Sequence, residues 1–238
     1  MSTPTTSFGR EVAGAVARSK NEPDWLVSWR EEAGALAAQL ELPKPEKTPL
    51  ARWPLDHFGT HRPGKAVTSA ADLPAALAGL LPEDTQGALI VQHNSSVVFT
   101  RLSDELKSQG VVLTSLEEAA RTHEHIVRKY LMTAYRKDEH KLAAVHGALW
   151  NGGVFLYLPK NAEIEFPIQA LLFADDPGAT FMPHILIVAE SNSRCSFVQQ
   201  VASLLEDAPS QTLLHNSAVE IFAGPGSHIR YAAVHHMD

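Results

Sequence analysis

Histidine and cysteine are the residues of this chain whose chemistry could bind a metal ion. The chain has 238 residues, with 12 histidines and a single cysteine, Cys195. Imidazole and thiolate are preferred ligands of zinc and related transition metals. The histidines that invite a metal interpretation are His123, His125, His184, His215, His228, His235 and His236. Their spacing matches neither an HxExxH-type helix face nor the HxH strand followed by glutamate of cupin-like sites, so the sequence favours histidines that are hydrogen-bonded or lie at an interface.

We therefore assign no metal ligand and no catalytic residue from the sequence. The alternative is a His-rich metal-dependent β-fold enzyme or metal-binding module with His215, His228 and His235 as ligands. Residues 59–66 nearly spell a phosphate-binding loop, but Ala66 replaces the hydroxyl that would hold Mg²⁺ and Pro63 removes a backbone donor. The chain also lacks a Gly-x-Ser-x-Gly nucleophile motif. These observations give no support to a nucleotide-hydrolysing site or to serine-hydrolase chemistry in this chain.

Composition excludes several classes of partner. The formal net charge is −7 and lysine and arginine form no large cluster, which argues against nucleic-acid binding. No window approaches the roughly 20 apolar residues of a membrane span, and the first 20 residues do not resemble a signal peptide. We expect a cytoplasmic protein.

The elements that position these residues begin with helices. The sequence predicts two helices, at residues 8–19 and 23–40, and an extended connector at residues 42–54. Pro23 is placed to open the second helix, and the prolines of the connector prevent helix there. Trp53 and Phe58 are expected to anchor the connector. The first part of the chain is therefore predicted to be mainly helical.

A small α/β unit is predicted next. Its elements are a short helix near residues 73–81, paired strands over 88–92 and 96–100, and a helix from about residue 116 to Tyr135. Ser115 matches the start of a capping box for the last helix. Residues 137–141 form a charged break, and short β-like runs dominate from Leu149 onward. We place a domain boundary near residue 140, which gives an N-terminal helical α/β domain over 1–140 and a second domain over 141–238.

The second domain contains a threefold repeat. Its copies, at residues 161–166, 192–197 and 226–231, read turn residue, small residue, variable, apolar, polar, aromatic. Each copy follows an apolar run, at 154–158, 185–189 and 219–222. Asn161, Asn192 and Gly226 suit the positive φ of a sharp corner. The repeat predicts strand–corner–strand coils that stack to bury one face, with Cys195 as an apolar filler where the other copies have Ile164 and Ile229.

Several segments resemble a known family. Residues 151–160 read NGGVFLYLPK and are followed by Pro-Ile-Gln at 167–169. This run resembles the SufB/SufD family of iron–sulfur cluster assembly scaffolds. The segment 22–25 with Arg30, the connector at 42–45 with Trp53, and residues 215–221 resemble further parts of the same family. At 199–203, where the SufB branch has a Glu-Gly-Cys segment, this chain reads QQVAS, so it is most similar to the SufD branch.

The resemblance implies a fold and a function. It implies an α+β protein in which the N-terminal domain is followed by a right-handed parallel β-helix, incomplete at the C-terminus. It implies a non-enzymatic scaffold subunit that pairs with SufB and with the ATPase SufC, the latter through helices beyond residue 238. The family's cluster-proximal histidine and the sulfur-handling cysteine have no counterpart here, and Cys195 does not take that role. No cofactor is expected on this chain alone, whereas an iron–sulfur cluster or flavin could bind transiently in the assembled complex. An interaction domain unrelated to iron–sulfur chemistry is a third hypothesis.

Overall fold

A pair of helices forms the start of the fold. The computed structural model describes residues 8–55, 58–77, 79–81, 87–204 and 213–237. Helix α1 (Arg10–Ser19) and helix α2 (Asp24–Gln39) confirm the two predicted helices, and Pro23 lies immediately before α2 as its N-cap. Their buried faces are rich in alanine, which allows close contact between the helices. Within the described ranges, no helix has the length and apolar character needed to cross a membrane.

The proline-rich connector differs from the prediction in two respects. Phe58 is buried, but Trp53 is 54% exposed, so only Phe58 anchors the connector. The predicted helix near residues 73–81 is wrong within the described residues, which form two 3-10 turns, Ala70–Asp72 and Ala75–Leu77. Pro74 explains the break, because a proline keeps the preceding residue extended, and Leu73 has φ −71° and ψ 155°.

The α/β unit follows the prediction closely at its start. Strands β1 (Leu89–His93) and β2 (Ser96–Arg101) pair in antiparallel fashion around the expected turn. The next elements are α3 (Asp104–Ser108), β3 (Val112–Thr114), α4 (Leu116–Thr122) and α5 (Glu124–Tyr130). Ser115 caps α4, since its hydroxyl accepts the amide of Glu118 at 3.1 Å.

The prediction of a single helix from about residue 116 to Tyr135 is wrong, because two shorter helices occupy this range. The backbone leaves the helical region at His123, with φ −129° and ψ 36°, and α5 ends at Tyr130. Beyond it, Met132 has φ +50°, and its amide donates to the carboxylate of Glu220 instead of to a carbonyl of the preceding turn. A distant side chain therefore takes the donor that would continue the helix.

Helix α6 (Lys141–Leu149) was not predicted. His140 caps it, and every residue from Ala143 to Leu149 is buried. A helix that is apolar on all sides shows no amphipathic period, which is the signal on which sequence analysis depends. The charged segment before it is thus the start of a helix and not only a break.

The remaining chain alternates between two sheets. Its strands are β4 (Val154–Leu158), β5 (Ile168–Ala174), β6 (His184–Ala189), β7 (Arg194–Ser203), β8 (Ala218–Ala223) and β9 (His228–His236). One sheet has the order β2-β1-β5-β7-β9 and the other β3-β4-β6-β8. The pairs among β5, β7 and β9, and those among β4, β6 and β8, are parallel. The architecture is mixed α/β, as the α+β class anticipated, with helices followed by largely parallel sheets.

Strands of the first part of the chain extend both sheets. β1 pairs in parallel with β5, and β3 pairs in antiparallel fashion with β4. Alternate residues of the two sheets, among them Leu156, Leu172, Ile187 and Val201, form one fully buried cluster. The opposite face of the four-stranded sheet packs against helical residues such as Leu26 and Leu116. The core therefore has one layer shared by the sheets and a second beneath the helices.

The predicted corners are confirmed. Asn161, Asn192 and Gly226 have φ of 66°, 61° and 71°, the region that asparagine and glycine tolerate best. The corners also stack, because the amide nitrogen of Asn192 donates to the amide oxygen of Asn161 at 3.3 Å. The turn residue of the second copy thus sits next to that of the first.

One alignment within the repeat is wrong. Glu163 bridges to Arg194, so Ile164 and Cys195 occupy equivalent positions as predicted. Phe197, however, pairs with Ile168 and not with Phe166. The first copy has two more residues before its strand, and they include Pro167, whose missing N–H group cannot join a ladder.

Candidate functional site

Four charged side chains form a buried ion cluster between α1, α2 and α4. Arg30 is fully buried and donates through Nε and Nη2 to the two oxygens of Glu22, at 2.6 and 2.8 Å. The Lys20 ammonium lies 2.8 Å from Glu22 and 2.6 Å from Glu117. The Arg30 guanidinium stacks on Trp150, 4.0 Å from the ring centroid. The two cations and two anions balance.

The electrostatics of the ion cluster favour the charged forms. Burial would raise the pKa of Glu22, but Arg30 and Lys20, through charge and hydrogen bonds, hold it below its usual range. Burial likewise opposes ionisation of Glu117, whose pKa is nevertheless lowered, mainly by Lys20. Of the residues at 22–25 and Arg30, which carry part of the family resemblance, Glu22 and Arg30 therefore form a buried ion pair.

A second buried cluster, the histidine relay, consists of His146, His184 and Glu220. His146 lies on α6, His184 begins β6 and Glu220 lies on β8, and all three are at most 1% exposed. The ring nitrogens His146 Nε2 and His184 Nδ1 are 2.9 Å apart, and His184 Nε2 is 3.0 Å from Glu220 Oε2. At its other end, His146 Nδ1 lies 2.9 Å from the carbonyl oxygen of Asn216.

Glu220 joins the histidine relay to the turn that follows α5. Its carboxylate accepts the backbone amides of Met132 at 2.6 Å, Ala134 at 2.8 Å and Tyr135 at 3.1 Å. Burial would raise the pKa of Glu220, but the hydrogen bond and charge of His184 and the backbone amides outweigh it and lower that pKa. Sequence analysis missed this cluster, although a glutamate at the centre of an apolar strand was an available signal.

The three histidines of the metal hypothesis lie in two places. The rings of His215 and His235 are 6.2 Å apart, and His215 also stacks on Phe181. His228 lies at the other end of β9, seven residues from His235, or about 23 Å along an extended strand. Within the described ranges, no group of three or more His, Cys, Asp or Glu side chains is placed to hold one metal ion. The structure thus brings two of the proposed ligands together and separates the third.

Burial determines the chemistry of His215 and Cys195. Burial, and then the nearby His235, lower the pKa of His215 to about 4, so its ring is neutral at physiological pH. Cys195 is 5% exposed in the shared core, where burial raises the pKa of its thiol to about 11. Arg194 precedes it, but that side chain is 62% exposed and does not activate the thiol. Cys195 is an apolar filler, as its position in the repeat predicted.

The segment 59–66 is extended and bonded to neighbouring elements. Thr60 bridges to Ala179, and Pro63 bridges to Asn94. Arg62 pairs with Asp176 at 2.7 Å. A phosphate-binding loop needs free amides that converge at the start of a helix, whereas these backbone groups belong to strand-like pairs.

The outer strands present an open edge. β8 and β9 are the last members of their sheets, and within the described ranges no strand pairs with their outer sides. Most of β9 is exposed, including Tyr231 and Val234, which are 37% and 42% exposed. The Tyr231 hydroxyl donates to Gln199 of β7, and its ring stacks on Phe197. The free hydrogen-bonding groups of such an edge can receive another strand.

Comparison with known proteins decides the family. A model of the SufBD protein N-terminal region matches residues 83–170, and a model of the SufBD core domain of SUF-system FeS cluster assembly matches residues 172–238. This chain belongs to the SufB/SufD family. The two matches adjoin and together cover both sheets.

Family relatives include curated proteins of several bacteria. The iron–sulfur cluster assembly protein SufD of Bacillus subtilis (strain 168) is 34% identical over 231 residues, which are 96% of this chain and 52% of that protein. SufBD family proteins of Staphylococcus epidermidis and Staphylococcus haemolyticus are 25% identical over 94% of this chain and 49% of their own length. The chain spans about half the length of the curated relatives it matches. The similarity to SufD agrees with the branch predicted from residues 199–203.

Proposed function

We propose that this chain acts as a SufD-like, non-enzymatic scaffold in a Suf-type iron–sulfur cluster assembly complex. The observation that carries the proposal is the family match over 83–238, together with relatives whose names place them in iron–sulfur cluster assembly. We further propose that it works in the cytoplasm and pairs there with a SufB-like subunit and a SufC-like ATPase. A cluster or flavin would bind transiently in that complex.

The parallel strands support the fold that this role requires. The chain passes alternately through the two sheets, and each pass adds one parallel strand to each sheet. We propose that these passes are the first coils of a right-handed parallel β-helix. The open edges of β8 and β9 would then receive further strands, so that the scaffold presents a long surface for its partners.

Affinity purification tests the role. A tag is added to the protein in its native organism, and the proteins that purify with it are identified by mass spectrometry. We expect a SufB-like scaffold and a SufC-like ATPase in near-equal amounts. Recovery of the tagged protein with neither partner would contradict the proposed function.

Paired variants test the role of β9 separately. Val234→Asp places a charge on the strand from which we propose that the β-helix continues, and Trp53→Asp places one at an exposed position on the connector. We expect Val234→Asp to lower partner recovery at least several-fold and Trp53→Asp to leave it unchanged. Equal recovery with both variants would refute the proposal that the β-helix continues from β9. It would leave the scaffold assignment intact.

A further inference from the structure

The histidine relay ends in a hydrogen-bond acceptor on both sides. Asn216 contributes a backbone carbonyl, which only accepts, and Glu220 contributes an ionised carboxylate, which also only accepts. Between them lie four ring nitrogens, two on His146 and two on His184. The three nitrogen–acceptor or nitrogen–nitrogen separations are 2.9, 2.9 and 3.0 Å, each the length of a good hydrogen bond.

Counting protons shows that two neutral rings do not satisfy this arrangement. A neutral imidazole carries one N–H group, so the pair supplies two protons for three hydrogen bonds. If His184 donates to Glu220 and His146 donates to His184, then the bare Nδ1 of His146 faces the Asn216 carbonyl. Two lone pairs would meet at 2.9 Å beside the fully buried ring of His146. Such a buried contact is costly, and a third proton removes it.

We propose that the histidine relay holds one extra proton at neutral pH, carried by His184, and that this proton fastens the turn at 132–135 to β8. His184 then donates from both nitrogens, to Glu220 and to His146, while neutral His146 donates from Nδ1 to Asn216. The imidazolium and the Glu220 carboxylate form a buried ion pair. Burial and then the His184 charge keep the pKa of His146 well below its usual value, which agrees with a neutral second ring.

The ion pair explains why the turn after α5 adopts its conformation. With His184, the Glu220 carboxylate has four donors, three of which are backbone amides of the turn. Met132 has φ +50°, a conformation that a non-glycine residue adopts only when partners hold it. Loss of the proton from His184 would leave the carboxylate without its counter-charge and so loosen the turn.

The other ionisable groups that face the relay are Arg30, Tyr135 and His215. Arg30 from α2 acts on His146, but Glu22 balances its charge. Tyr135, whose ring is 6.3 Å from that of His146, has its pKa raised to about 12 by burial. His215, which precedes β8, has its pKa lowered to about 4 by burial. Between pH 7 and 9 these three groups keep their charge states.

Nitrogen-15 NMR of the histidine side chains tests the proposal on the unaltered protein. At pH 7.5 we expect both ring nitrogens of His184 to carry protons and His146 to be the neutral Nδ1–H tautomer. A neutral His184, with either tautomer of His146, leaves only two protons on the two rings, and that result would overturn the proposal. This measurement needs no variant.

The pH dependence of unfolding gives an independent test. Unfolded histidines titrate near about pH 6.5, so histidines that burial keeps neutral in the fold, such as His146 and His215, take up protons on unfolding near pH 7. Above about pH 8 this uptake is small, and the folded chain would hold one more proton than the unfolded chain. Stability is then fully present below that range and falls as the pH rises, and the unfolding constant should increase about tenfold per pH unit until the proton leaves. Urea unfolding at several pH values between about 8 and 9 measures this slope.

Two matched variants complete the test. Glu220→Gln removes the carboxylate that stabilises the extra proton, so we expect the slope to disappear. The control is Asp175→Asn, because Asp175 lies 2.8 Å from His93 in a histidine–carboxylate pair at the surface. Solvent weakens that pair, so the control should keep most of the slope. A Glu220→Gln protein with the wild-type slope would overturn the proposal, and if that variant does not fold, the NMR result decides.

Discussion

Substitution of Glu22 by glutamine should destabilise the fold strongly. Arg30 is fully buried, and both oxygens of Glu22 bind it, so the substitution leaves its charge without its carboxylate partner. The glutamine side chain of this variant would accept through one oxygen only, and its NH₂ group would face the guanidinium. The remaining anion of the ion cluster, Glu117, binds Lys20 at 2.6 Å and cannot serve both cations.

The expected loss of unfolding free energy in Glu22→Gln follows from the burial of the ion pair. Removing one partner of a buried ion pair typically costs about 3–5 kcal/mol. For a chain of this length, each 1 kcal/mol shifts the melting temperature by roughly 2–4 °C, so the expected loss is about 6–20 °C. The matched control is Glu31→Gln, since Glu31 pairs with Arg18 at 2.8 Å between the same two helices but at the surface. A surface pair contributes only about 0–1 kcal/mol.

Urea unfolding of the wild-type protein and both variants measures the difference. We expect the Glu22 variant to lose several times more free energy of unfolding than the Glu31 variant. Acid should add a second signature. The lowered pKa of Glu22 means that the ion cluster contributes stability above the unfolded value of about 4.3, which is lost as the pH falls through the folded value. The variant should lack this part of the acid sensitivity. Equal losses in the two variants would refute the reasoning.

Two further predictions concern backbone strain and thiol chemistry. Gly153→Ala should destabilise the protein by more than about 3 kcal/mol, because its Cβ would collide with the backbone of His184 at a positive φ. Gly110 also has a positive φ, but a Cβ there would lie 3.6 Å from Pro159 Cγ, an ordinary contact, so Gly110→Ala should cost only about 1–2 kcal/mol. Similar losses for the two variants in urea unfolding would contradict the steric argument. Cys195 should react with a thiol reagent at pH 8 only after unfolding, since burial raises its pKa to about 11, and rapid labelling of the native protein would show that it is accessible.

Sequence analysis succeeded where the signal is local. The corners at Asn161, Asn192 and Gly226 were predictable because few residue types tolerate a positive φ. The role of Cys195 followed from its place in the repeat, which the register confirms. The pairing of β1 with β2 was also predictable, because the two strands are adjacent in the chain and joined by a short turn.

The missed features depend on contacts between distant residues. The histidine relay joins His146, His184 and Glu220, which lie more than 30 residues apart, and no pattern in the sequence connects them. Glu220, on β8, also binds the amide of Met132 and so prevents α5 from continuing beyond Tyr130. The C-terminal boundary of α5 therefore depends on a distant strand. Helix α6 escaped prediction because it is buried on every side.

The most direct test of the central claim is iron–sulfur enzyme activity in cells that lack this protein. The gene is placed under a repressible promoter in its native organism, any other cluster-assembly pathway is removed, and the activities of [4Fe–4S] enzymes are measured in extracts as the protein is depleted. The scaffold assignment predicts that these activities fall while activities of metal-free enzymes persist, and that the intact gene restores them. Unchanged iron–sulfur enzyme activities after loss of the protein would contradict the account.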